Sequence, residues 1–127
     1  MTTTLAPMSL SVLICEPVYE LRKLYVKHFE RHHLSVHAID HFSSLFDTTA
    51  HSEPRFILLS LYYPQSNVDK LLQQVAQTHR ASSVVLLSHG DLASTEHLLG
   101  GTVAAHLHKQ SSSPKEVVSK VLELLTL

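Results

Sequence analysis

Glu16, Ser60, Ser88 and Lys109 each stand at or just after the end of a short apolar run in a chain of 127 residues. Those runs are Leu10 to Cys15, Phe56 to Leu61, Ser83 to Leu87 and Thr102 to His108. If the runs are parallel strands, the four side chains collect at the carboxyl edge of one sheet. In open α/β folds that edge is where ligands and chemistry usually lie. One carboxylate, one ammonium and two hydroxyls can do few things there. Glu16 and Lys109 can form an ion pair. A hydrolase-type serine needs a strand-turn-helix elbow of the form G-x-S-x-G. Ser60 lies between Leu59 and Leu61, which excludes that reading. No aspartate or histidine base is evident beside it in the sequence to activate its hydroxyl. The plainer reading of Ser60 is an inert polar residue at a strand end.

Eleven histidines are a second candidate source of chemistry. His32, His33, His37 and His41 lie close in sequence, and His106 and His108 fall on one side of a strand. Neutral imidazoles can hold Zn²⁺ or Ni²⁺, and clustered ones can make a surface respond to pH. No Cys/His spacing matches a structural zinc site. Solvated surface histidines are the expectation, and no metal centre is predicted.

The elements that must position these residues follow from apolar periodicity. Leu10 to Cys15 reads as a buried strand stopped at Pro17, which cannot donate to a ladder and can open a helix instead. Val18, Leu21, Leu24, Tyr25, His28 and Phe29 recur at helical spacing up to about His32. Leu34 to Ile39 is a weakly alternating second strand. Asp40 can cap a short helical stripe of Phe42, Leu45 and Phe46. Pro54 to Pro64 encloses the most continuous apolar run, Phe56 to Leu61, which suits a strand buried on both faces. Asn67 precedes a helix carrying Val68, Leu71, Leu72, Val75, Ala76 and His79. Ser83 to Leu87 is a fourth strand. Asp91 can cap a helix with Leu92, Leu98 and Leu99 that ends at Gly100-Gly101. Thr102 to His108 is the last strand. Ser113, Pro114 and Glu116 form a capping box with proline at the first helical position, and Val117, Val118, Val121, Leu122 and Leu125 follow as its stripe. Strand and helix alternate about five times, which argues for a parallel sheet with helices on both faces.

Composition narrows the function classes. Apolar residues make up 44%, charged residues 17%, and the net charge is −1. That is an ordinary globular balance with no basic excess for nucleic acid or an anionic membrane. The longest apolar runs are too short to span a bilayer. None of the three glycines begins a phosphate-cradling loop, so a nucleotide-binding fold is not expected. The single cysteine, Cys15, excludes an internal disulfide and fits a reducing compartment. Met1 to Met8 has neither the positive nor the apolar region of a secretory signal. A cytoplasmic location is expected, with residues 1–9 as a flexible leader and residues 10–127 as a single domain.

In its ordered set of strand ends the chain resembles the receiver domain of two-component response regulators, in the chemotaxis-type single-domain form. The resemblance runs from about Leu10 to Leu125. It rests on Val12-Leu13-Ile14-Cys15-Glu16-Pro17, on Pro54 to Pro64, on Val84 to Ser88, on Ala105-His106-Leu107-His108-Lys109 and on the Ser113-Pro114 helix. It implies a doubly wound, flavodoxin-like α/β fold of five parallel strands in the order 2-1-3-4-5. It also implies a role in phosphorelay signal transduction.

The departures from the family pattern bear on function. Receivers end the first strand in two adjacent acids that help hold Mg²⁺; here the pair is Glu16-Pro17. They carry an aspartate as phosphoacceptor where this chain has Ser60. The hydroxyl residue is kept as Ser88 and the lysine as Lys109, but Gln110 replaces the usual following proline and His106 the usual aromatic residue. Mg²⁺ is a hard cation that wants oxygen ligands and negative charge, and a serine hydroxyl is a poor phosphoryl acceptor. The resemblance therefore implies a degenerate receiver that is not an enzyme, with no cofactor and with Mg²⁺ binding lost or weak. Ser60 marks the degenerate acceptor position, Glu16 the remnant acidic pocket, and Ser88, Lys109 and His106 the remnant switch positions. The expected role is a phosphorylation-independent protein–protein interaction module in signalling, with a sensor kinase or an output protein as partner. A homodimer would form through the face of the fourth helix, last strand and last helix, which includes Leu92, His97, His106, His108 and Lys120. The other readings are a receiver still phosphorylated or switched unconventionally, a regulatory domain detached from a DNA-binding or enzymatic output, and a small flavodoxin-shaped enzyme. The last is disfavoured by the absence of a phosphate loop after the first strand.

Overall fold

The apolar runs form five parallel strands, β1 (Ser11–Cys15), β2 (Ser35–Ile39), β3 (Phe56–Leu61), β4 (Ser83–Ser88) and β5 (Val103–His108), in the order β2-β1-β3-β4-β5. The expected flavodoxin-like order is thus the observed one. The computed structural model describes residues 11–46, 54–61, 68–88, 103–109 and 112–125. The predicted leader, Asn67 and the helix expected between Asp91 and Leu99 lie outside the described residues. β3 is the middle strand of the five, and all six of its residues are buried. Covering on both faces explains why its sequence is a run rather than an alternation.

Alternate residues of each strand face opposite layers. Val12 and Ile14 of β1, Phe56 and Leu58 of β3, and Val85 and Leu87 of β4 pack with Tyr25, Phe29, Val117, Val118 and Val121. Those last five come from helices α1 (Tyr19–Glu30) and α3 (Pro114–Leu125), the latter being the closing helix of the sequence. Leu13, Cys15, Ile57, Leu59, Val84 and Leu86 pack the other way, with Leu45, Leu71, Leu72 and Val75. These belong to a short 3-10 helix (Phe42–Phe46) and to α2 (Val68–Thr78). The β4–β5 register slips by one between Val84 and Val85, so that Val84 is opposite Val103 but Val85 is opposite Ala105. This bulge turns β5 over. Val103 joins the α2 layer, whereas Ala105 and Leu107 join the α1/α3 layer.

Several local expectations need correction. Helix α1 begins at Tyr19, two residues after Pro17, and Val18 occupies the cap position without a side-chain cap bond. Its buried stripe is Tyr25 and Phe29 with Leu21 and Val26 partly covered. Val18 and Leu24 are 41% and 43% exposed, because the layer beneath covers the row of Leu21, Tyr25 and Phe29 with Val26 beside it. β2 starts at Ser35, and Ala38 is exposed because β2 is an edge strand. The short stripe after it is a 3-10 helix, and the acceptor at its start is His41 Nδ1, bonded by the Ser43 N–H at 3.1 Å, rather than Asp40. β4 includes Ser88 instead of ending before it. The Ser113–Glu116 capping box forms as read, each backbone N–H bonding the other side chain at 3.2 Å. His79, the residue after α2, is buried, as its place in the predicted apolar stripe requires, and its Nε2–H donates to the Leu45 carbonyl at 2.6 Å. No helix among the described residues is long and apolar enough to cross a membrane.

Candidate functional site

Glu16 follows β1 directly, and its N–H donates to the Ile39 carbonyl of β2 at 3.0 Å, which ties the residue to the sheet edge. Lys109 follows β5, where its N–H donates to the Ser88 carbonyl at 2.8 Å and extends the β4–β5 ladder by a residue. These two anchors bring the side chains together across the intervening strands. Lys109 Nζ donates to Glu16 Oε1 at 2.7 Å and to Ser60 Oγ at 2.6 Å. The Lys109 side chain is 6% exposed and that of Glu16 fully buried. Ser60 is buried as well. A buried ion pair persists only where hydrogen bonds satisfy what the partners leave over. Here Glu16 Oε2 also accepts the Val18 N–H at 3.0 Å, so the carboxylate holds one of the free donors before α1. The Glu16 carbonyl accepts from an Arg22 guanidinium nitrogen at 2.8 Å.

The charge on Glu16 reaches its neighbours. The Cys15 thiol is pushed up to about 12, chiefly by burial and then by Glu16 and Asp40. The Tyr25 hydroxyl is also pushed up to about 12, by burial and then by Glu16. A thiol with a folded pKa above its ordinary 9.0 favours folding below pH 9 and loses that contribution as pH rises from 9 toward 12. Native Cys15 is therefore expected to resist thiol reagents at about pH 8 and to react once denaturant opens the core. The alkaline fall in stability should be smaller in Cys15→Val. Rapid labelling of the native chain, or equal alkaline losses in both proteins, would contradict this placement.

Ser88 and His106 form a second group, with Ser88 Oγ and His106 Nε2 2.7 Å apart. All the predicted strand-end residues reach the carboxyl edge, but strand parity divides them. Ser60 follows Leu58 on the α1/α3 side of the sheet, whereas Ser88 follows Leu86 on the α2 side. His106 lies 4.9 Å from the His108 ring, centroid to centroid, as their shared side of the strand anticipates. His32, His33, His37 and His41 are exposed, and His33 takes the left-handed conformation (φ 61°) just after α1. Sequence reasoning missed the Val18 N–H on Glu16 and the His79 bond to Leu45. The first had a signal in the Glu16-Pro17-Val18 order; the second had none beyond a histidine in an apolar stripe. Leu92 and His97 of the expected partner face lie outside the described residues.

No protein-family model matches the chain, and no curated protein is similar enough in sequence to match it. Solved structures do match. An orphan response regulator of H. pylori, HP1043, superposes with a TM-score of 0.76 at 14% identity, over 92% of this chain and 97% of that one. The signal receiver domain of a Vibrio parahaemolyticus protein assigned as a Luxo repressor gives 0.75 at 19% identity, over 93% and 91%. A CheY-like response regulator receiver domain protein from Methanospirillum hungatei JF-1 gives 0.74 at 14% identity, over 91% and 93%. The chain has the receiver fold. Its similarity to these receivers is one of architecture, spread over nearly the whole of each chain.

The Mg²⁺ that the sequence resemblance brings to a receiver meets a poor donor set here. Among the described residues the pocket offers it one carboxylate, whose two oxygens already accept from a buried ammonium and a backbone N–H. A serine hydroxyl adds no charge. With both oxygens engaged, that set leaves no free carboxylate for a cation usually held by one or two of them along with water. Nor does any group of three or more His, Cys, Asp and Glu residues able to hold a metal occur among the described residues.

Proposed function

We propose that this chain is a cytoplasmic signalling module that uses the receiver fold for protein–protein interaction without aspartyl phosphorylation and without enzymatic activity. On this reading Ser60 stands at the phosphoacceptor position. One observation carries it: Lys109 Nζ bridges Glu16 Oε1 and Ser60 Oγ inside a buried pocket. The ammonium already has a carboxylate to neutralise, and the hydroxyl it touches is a weak nucleophile with no base bonded to it among the described residues. Within the described residues Glu16 and Lys109 offset each other's charge. The Ser88–His106 bond supports the same reading, since it holds the hydroxyl against a histidine where receivers carry an aromatic switch residue. The partner would be a sensor kinase or an output protein, bound constitutively.

Treatment with acetyl phosphate and Mg²⁺, followed by intact-mass spectrometry, tests the proposal. No adduct is expected on the wild-type chain. A stoichiometric phospho-adduct would overturn the reading and favour an unconventionally phosphorylated receiver.

A further inference from the structure

Helix α1 turns a face of mixed character to solvent. Leu24 is 43% exposed, and an open groove of about 560 Å³ runs along Glu20, Arg22, Lys23, Leu24, Lys27 and Glu30 to Ala38 on the edge strand. Glu20 and Lys27 are seven positions apart. That is about two helical turns, so they share one line on the helix surface with Leu24 near its midpoint. Among the described residues neither makes an ion pair. The other two cations of the groove are engaged: the Lys23 ammonium and the Arg22 guanidinium sit 5.0 and 5.5 Å from the centre of the Tyr19 ring, and Arg22 also donates to the Glu16 carbonyl.

We propose that this face binds a second copy of the chain, α1 against α1, antiparallel about a two-fold axis near Leu24. The order of charge selects the occupant. With Arg22 turned to the Glu16 carbonyl and Tyr19, Glu20, Lys23, Lys27 and Glu30 run minus, plus, plus, minus, which suits neither a uniformly acidic nor a uniformly basic partner. A parallel pair would set Glu20 against Glu20 and Lys27 against Lys27. In the antiparallel pair each Glu20 meets the partner's Lys27, the two-fold repeats that contact, and Leu24 packs on the partner's Leu24. Lys23, drawn over Tyr19, stays at the rim of the seam. The exposed Ala38 of β2 leaves room beside it. A one-helix seam is small, so the dimer forms weakly and depends on concentration. The inference is independent of the phosphorylation-free reading, and a phospho-adduct would leave it standing.

Sedimentation equilibrium of the full chain tests it. The apparent mass is expected to rise from 14.2 kDa toward twice that value as concentration increases. Leu24→Asp should raise the dissociation constant at least about tenfold. Glu20→Lys or Lys27→Glu alone should each weaken the dimer on the order of tenfold through like-charge contacts. The double variant Glu20→Lys/Lys27→Glu should recover wild-type association. All three positions are exposed, and circular dichroism checks that the helix is intact. A chain monomeric up to millimolar concentration, a dimer indifferent to Leu24→Asp, or a double variant that fails to recover would each overturn the proposal.

Discussion

Lys109→Met is expected to destabilise the domain by about 3–5 kcal/mol, the usual result of removing one partner from a buried ion pair. The cause is the carboxylate left behind rather than the missing hydrogen bond. Glu16 is fully buried, and without Lys109 its Oε1 loses the charge that faces it at 2.7 Å. The Val18 N–H on Oε2 remains, but a neutral donor does not replace the lost charge. Removing the charge from both partners should therefore cost much less than removing it from one. In Glu16→Gln/Lys109→Met the amide oxygen still accepts from Val18, and the methionine fills the volume of the lysine stem. More than half of the lost stability should return. Urea denaturation of the two variants and the wild type measures both quantities. A loss below about 1 kcal/mol for Lys109→Met, the range of exposed pairs, would mean that water reaches the pocket and screens the charges.

Ser60→Asp is expected to act on the same balance from the opposite side. It places a second carboxylate on an ammonium that already serves Glu16, so the buried charge becomes net negative. In buffer free of divalent cations, stability should fall by about 1–3 kcal/mol, since part of the new carboxylate's desolvation goes uncompensated. Mg²⁺ should then recover stability in the variant, by about 2.7 kcal/mol at a hundred times its dissociation constant. The wild-type chain should show no such shift. Thermal melts with and without Mg²⁺ make the comparison. Equal stabilisation of both proteins would show that the native pocket already accepts a cation, contrary to its donor set.

Much of the fold was legible because its signals are local. β3 reads as a buried run, α2 carries an unbroken apolar stripe, and α3 opens with a capping box. All three form where the residues place them. The pairing of Glu16 with Lys109 was legible too, since parallel strands share a direction and their ends share an edge. What stayed hidden depends on neighbours distant in sequence. The periodicity of α1 counts Val18 and Leu24 with the core, but burial depends on how much of the helix the sheet and α3 cover. The division of Ser60 from Ser88 depends on strand parity, and spacing measured from strand ends does not contain it. The role of Glu16 Oε2 at the start of α1 depends on one rotamer.

The slip between Val84 and Val85 sets which residue can enter the pocket at all. Before it, β5 presents Val103 to the α2 layer; after it the phase is reversed, and Lys109 follows Leu107 onto the side of Ser60 and Glu16. The slip absorbs Ala104 as a residue without a partner on β4. In a regular ladder that started from the same Val84–Val103 pair, Ala104 would stand opposite Val85 and Leu107 opposite Ser88. His108, a shorter side chain that is not permanently charged, would then take the place that Lys109 holds. A single backbone irregularity, with no chemistry of its own, thus works as a reading frame for the site: the same letters, shifted by one, would spell a pocket without its cation.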